Sequence, residues 1–215
     1  MPKKENITAK LERIADTIRL SFTATDATRE RALHLCREII RYSATAIRTV
    51  HRQEIDKAKN IVASTSKLVE ELNNEIRNSR DDFLSTGFVH DAQKEFAEAC
   101  ITIAVVAQEQ LPDPEKIFVT YPAYLNGLGE AAGELRRYVL DCLRRNDFSR
   151  CEELLSIMDD IYTVLTTIDF PDAITCGLRR TTDSVRGMLE KTRGDLTIAL
   201  RQKSLENRIN SIINS

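Results

Sequence analysis

The chain has 215 residues, 42% of them hydrophobic and 30% charged, with 33 acidic against 31 basic side chains and a net charge of −2. That length suffices for one substantial core, so a single domain over residues 1–215 is expected, and the charge balance excludes a histone-like polycation that coats nucleic acid by bulk charge. Five cysteines form no C-x-x-C pair and sit among apolar neighbours, the pattern of reduced core thiols in a cytoplasmic protein, while no segment approaches the ~18 uninterrupted apolar residues of a membrane span.

Between Lys3 and Leu111 there is no proline and one glycine, Gly87, which points to long helices. Leu11, Ile14, Ala15, Ile18 and Phe22 recur at helical spacing and predict a first helix near 4–22. TATD (Thr23 to Asp26) then offers capping side chains for a second, ending near His51. Ile55, Ala58, Ile61, Val62, Leu68, Leu72 and Ile76 mark a third from Gln53 to about Asn78. RDDF restarts the pattern, with Asp81 or Asp82 in the first turn of a fourth helix that runs to about Gln110. LPDP (Leu111 to Pro114) ends it, and about ten loop residues lead to Tyr121-Pro122, where a fifth helix begins and continues to about Arg145. Asn146 or Asp147 caps a sixth to about Ile168, DFPD breaks it, and a last helix spans about Asp172 to Ile213. No period-two strand pattern appears. The expectation is all-α: an up-and-down bundle of about seven long helices.

The fifth helix carries a puzzle. YLNGLGEAAGELRRY holds three of the seven glycines, Gly127, Gly129 and Gly133, which together oppose a helix by roughly 3 kcal/mol. It also carries Glu130 and Glu134 four apart, while KEFAEAC puts Glu95 and Glu98 three apart on the fourth helix. Each pair lies on one helix face and borders an apolar stripe, so two antiparallel neighbours would bring all four acids together. Such a cluster is costly without a cation, and oxygen-only ligands suit Mg²⁺ or Mn²⁺, which activates water and stabilises a phosphoryl transition state. Two plainer readings stand beside it: solvated acidic pairs, and glycines that simply allow close helix packing. The basic last helix, with eight Lys/Arg against four Asp/Glu over residues 175–215, likewise reads as a solvated face.

Other chemistries lack their residues. None of His34, His51 and His90 completes the Glu-x-x-His of a di-iron bundle, and there is no phosphate-binding glycine loop or nucleophile elbow.

The run Tyr124-Leu125, Gly127, Ala132, Glu134-Leu135, Arg137, followed by Asp147-Phe148-Ser149-Arg150, resembles the core signature of the translin family. The likeness extends at lower specificity over nearly the whole chain, through His51 to Lys59, Ile101 to Gln110, and LRRTTDSVRG to GDLTIAL. The resemblance implies seven-helix, translin-like subunits that assemble into a hollow octamer around RNA. A chamber of that kind reconciles a mild net charge with RNA binding, since charge is needed only on the inner wall.

Two branches of the family differ in function. Translin itself is a non-catalytic binder of single-stranded RNA or DNA, whereas the translin-associated factor X (Trax) branch uses acids for metal-dependent RNA cleavage. Glu95 and Glu98, with Glu130 and Glu134, match the acid pattern of that second branch, although Glu130 stands where aspartate is more usual. The resemblance therefore implies a Mg²⁺- or Mn²⁺-dependent endoribonuclease acting on single-stranded or partly paired RNA, with these four acids as metal ligands. His90, Lys94, Arg136, Arg137, Lys57 and Lys59 are the candidate RNA contacts, and a homo-oligomer, an octamer, is the expected assembly. The alternatives are a binding module without cleavage and a purely structural helical adaptor.

Overall fold

The scarcity of helix breakers is realised as length. In a computed structural model that describes residues 7–78 and 87–213, helix α1 runs unbroken from Ile7 to His51. The predicted break at Thr23 to Asp26 is absent: Thr23 and Thr28 turn their hydroxyls back to the carbonyls of Arg19 and Ala24, and the helix passes through. Helix α2 covers Ile55–Asn78, α3 Gly87–Ala107, α4 Tyr121–Arg144, α5 Cys151–Thr166, α6 Asp172–Thr175 and α7 Leu178–Ile213. Every regular element among the described residues is helical, and the expected restart at Asp81 or Asp82 lies outside them.

Two helix ends differ from expectation. The expected cap at Asn146 or Asp147 is not formed, because Asp147 accepts the amide and hydroxyl of Ser149 in a local turn and α5 starts at Cys151. The expected last helix is divided in two: Cys176 (φ 52°) and Gly177 (φ 84°) are both left-handed, so the short α6 turns sharply into α7.

Helix α3 is the central rod. Phe96 to Val106 are buried without a gap, and its alanines let α1 and α2 close on one side and α4 on another. Helices α5 and α7 then pack on α4. Buried Gln93 ties three segments: its amide donates to Asn73 of α2, while its carbonyl accepts the backbone amide and hydroxyl of Thr120 at the start of α4.

The same contacts set direction. Thr120 meets Gln93, Gly127 meets the backbone of Lys94 and Glu98, and Arg150, beyond the end of α4, donates to the carbonyls of Val105 and Val106. Helices α3 and α4 therefore run parallel, against the antiparallel expectation. Residues 108–120 return along the bundle with Ile117 and Val119 buried, so strict alternation is interrupted at this one connection. The parallel pairing places the acids of both helices at one level.

Candidate metal centre between α3 and α4

The seam between these helices is unusually close at Gly127. A Cβ there would lie 2.7 Å from the Lys94 carbonyl oxygen and 2.9 Å from both the Glu98 nitrogen and the Ala97 Cβ. No side chain fits, which accounts for one glycine of the puzzle. Gly129 and Gly133 face α7 instead, against Thr181 and Met188 respectively. One turn beyond Gly127, Glu130 reaches the acids of α3. Carboxylate oxygens of Glu95, Glu98 and Glu130 all lie within 4.8 Å of one another.

Electrostatics there are unfavourable for three charges. Burial, then the charges of Glu130, Glu95 and Glu134, push the Glu98 carboxyl up to about 8, with Lys94 opposing. Glu95 is also raised, by burial first and then by Glu130. Among the described residues Lys94 is the cation inside the group. Its ammonium lies 2.7 Å from Glu130 Oε1 and 3.7 Å from Glu95 Oε1. Burial works to lower the Lys94 pKa, but the hydrogen bond to Glu130 and the charges of Glu130, Glu95 and Asp91 hold it above its ordinary value.

Glu134 sits at the margin of the triad. Its Oε2 is 2.5 Å from Nε2 of His51, the last residue of α1, and 3.6 Å from Nη1 of Arg137. The His51 side chain is only 6% exposed, and its Nδ1 faces Asp141 Oδ2 at 3.8 Å, within ionic reach but too far for a hydrogen bond. The imidazole is thus flanked by a carboxylate on each side. His51 and Asp141 were not among the sequence candidates. The available signal was a lone histidine continuing the buried Ala46, Ile47 and Val50 face of α1.

The other candidates are spread more widely. His90 is half-buried one turn before Lys94, its pKa lowered by burial and partly restored by Asp91. Arg137 is half-exposed beside Glu134. Arg136 turns to α7, donating to Thr192 and Asp195. Lys57 pairs with Glu54 and Lys59 with Glu109, both on the surface near the start of α2 and away from the acid triad.

A triad of hard oxygen donors, one of them buried with a raised pKa, fits Mg²⁺ or Mn²⁺ by its chemistry. Glu95, Glu98 and Glu130 are the residues placed to hold such an ion.

No profile of a known protein family matches the chain. An uncharacterised protein of Methanocaldococcus jannaschii is 30% identical over 189 residues, spanning 87% of this chain and 83% of that one. Among solved structures, AfC3PO is 30% identical with a TM-score of 0.79, covering 87% of this chain and 97% of that chain. A complex of AfC3PO with duplex RNA aligns at 29% identity and the same TM-score and coverage. Apo-NeC3PO, at 17% identity and a TM-score of 0.77, shares the fold. C3PO is translin- and Trax-like, and with 30% identity over almost all of the AfC3PO chain, this chain belongs to the translin family.

Proposed function

We propose that the protein is a metal-dependent endoribonuclease of the Trax type, cutting phosphodiesters of single-stranded or partly paired RNA. The observation that carries this reading is the convergence of Glu95, Glu98 and Glu130 oxygens within 4.8 Å beside a cleft. The duplex-RNA complex of AfC3PO supports the choice of RNA. When bound, Mg²⁺ or Mn²⁺ supplies Lewis acidity and an activated water. Within the chain, His51 fixes the carboxylate of Glu134, Lys94 offsets charge on Glu130, and half-exposed Arg137, beside Glu134, is placed to turn to a phosphate oxygen.

A labelled RNA oligonucleotide incubated with Mg²⁺ and with EDTA tests the proposal. Cutting with Mg²⁺ alone is expected, lost in Glu98→Gln and in Glu134→Ala with assembly intact. RNA that binds but is never cut would leave the second reading, a translin-like binder. One contact favours that reading: the Lys94 ammonium already compensates Glu130 at 2.7 Å.

Self-assembly, as an octamer, belongs to the same proposal. Ile7, Leu11, Ile14 and Ile18 form an exposed stripe on α1, and Leu205, Ile209 and Ile212 another on α7. Burial of such stripes between copies is the expected role. Light scattering reading a monomer mass would remove the assembly from the proposal.

A further inference from the structure

The metal centre uses only one edge of a larger feature. From the Glu130–Lys94 pair a cleft of about 450 Å³ opens toward α7, lined also by His90, Arg180, Thr181 and Ser184. Arg180 stands out among the cations near the seam. Lys94 is held by Glu130 and Arg136 by Asp195, whereas the Arg180 guanidinium has no ion pair or side-chain hydrogen bond among the described residues.

Its backbone is nevertheless fixed relative to the acids. Asn126 of α4 donates to the Thr175 carbonyl at 2.9 Å and accepts the Thr181 hydroxyl at 2.7 Å, so the residues on either side of the α6–α7 corner are pinned to the helix that carries Glu130. Gly129, with Thr181 packed directly against its Cα, brings α7 close to α4 at this level.

We propose that this cleft is a subsite for a phosphate of the bound RNA strand adjoining the one at the acids, with Arg180 as its anchor; the inference rests on the RNA-binding part of the ribonuclease reading. A strand carries an anion at every nucleotide, so one lying over the Glu95–Glu98–Glu130 group extends past Lys94 into the cleft. The planar guanidinium fork matches phosphate oxygens, and an arginine without a protein partner has no ion pair to break on binding.

The test uses the full chain and a fluorescein-labelled single-stranded RNA, with Ca²⁺ replacing Mg²⁺ to hold back cutting. Anisotropy titrations at several salt concentrations compare the unaltered protein with Arg180→Gln, Arg180→Lys and Arg179→Gln. Arg179 lines a different cavity, with Tyr162 and Asp169, and serves as the bulk-charge control. Arg180→Gln is expected to weaken binding about tenfold and to lower the slope of log affinity against log salt by about 0.7, one phosphate of a single strand. Arg180→Lys should keep the slope, Arg179→Gln should change neither quantity, and the Mg²⁺-induced rise in melting temperature should persist in all three.

Unchanged affinity and slope in Arg180→Gln overturn the subsite, as does an equal loss in Arg179→Gln. Loss of the Mg²⁺ shift in Arg180→Gln overturns it too, because Arg180 would then support the metal centre. If the unaltered protein binds RNA without Mg²⁺-dependent cutting, the ribonuclease reading fails and the Arg180 comparison still decides the subsite. If it binds no RNA, both fail.

Discussion

His51 Nε2 and Glu134 Oε2 lie 2.5 Å apart, joining the end of α1 to the middle of α4 across 83 positions of sequence. The imidazole N–H donates to the carboxylate, and Glu134 is held at the margin of the acid triad instead of swinging into solvent. His51→Ala removes that donor from a largely buried carboxylate and is expected to cost about 1–3 kcal/mol of stability, read as a lower urea midpoint. Asn or Gln at position 51 should restore part of it, and RNA cutting should follow the same order.

Glu98 links the site to pH. Its carboxyl is pushed from 4.5 to about 8, by burial first and then by Glu130, Glu95 and Glu134. Below 4.5 folded and unfolded chains are both protonated there. Above it the unfolded chain ionises while the folded one keeps its proton, so stability falls as pH rises from about 4.5 to 8 and then levels off. In EDTA the melting temperature should decline across that window. Saturating Mg²⁺ should flatten the decline by favouring the ionised form, and Glu98→Gln should reduce it in EDTA to the smaller part that Glu95, also raised by burial, contributes. A flat EDTA profile in the unaltered protein would contradict the placement of Glu98.

The glycines of α4 should separate by what they face. Gly127→Ala gains about 1 kcal/mol of helix propensity but drives a Cβ to 2.7 Å from the Lys94 carbonyl, on backbone that cannot yield, so a net loss of ~1–3 kcal/mol is expected. Gly133→Ala meets only the flexible Met188 thioether at 3.3 Å, and Gly187→Ala on α7 meets nothing within 4 Å; both should be neutral or stabilising. Thermal melts of the three variants measure the difference. Mg²⁺ binding should weaken only in Gly127→Ala, since that clash lies between the two acid-bearing helices.

The cysteines give a check on the core. Cys36, Cys100, Cys142 and Cys151 are buried, with burial pushing Cys36 and Cys100 up to about 12 and Cys151 to about 11. Cys176 is exposed at the α6–α7 corner. A thiol reagent at neutral pH should titrate one cysteine rapidly in the native protein and all five in denaturant.

Much of this architecture was legible because its signals are local. Apolar spacing located α2, α4 and α5, and the i,i+3 and i,i+4 acid pairs supplied three of the residues that converge. What escaped depends on distant partners. Thr23 offers the same hydroxyl whether it caps a new helix or bonds back to Arg19, and only the surroundings decide. The parallel course of α3 and α4 is set by residues 108–120 crossing back, held by buried Ile117 and Val119 and by Gln93, contacts that no helical period announces. Glu134 reads as an equal of Glu130 until His51 arrives from the far end of α1.

In α1, none of residues 7–31 is buried, and the first fully enclosed side chain is Ala32. In an isolated subunit those leading residues form a cantilever clamped at one end, without the tertiary packing that supplies most of a helix's stability. In an isolated subunit amide hydrogen exchange should therefore grade along a single rod, fast near Leu11 and slowest near Val50, and assembly that covers the Ile7, Leu11, Ile14 and Ile18 stripe should slow the fast end. The stiffest portion of the longest described helix is the portion that delivers His51, so unravelling of its exposed leading turns leaves the imidazole in register.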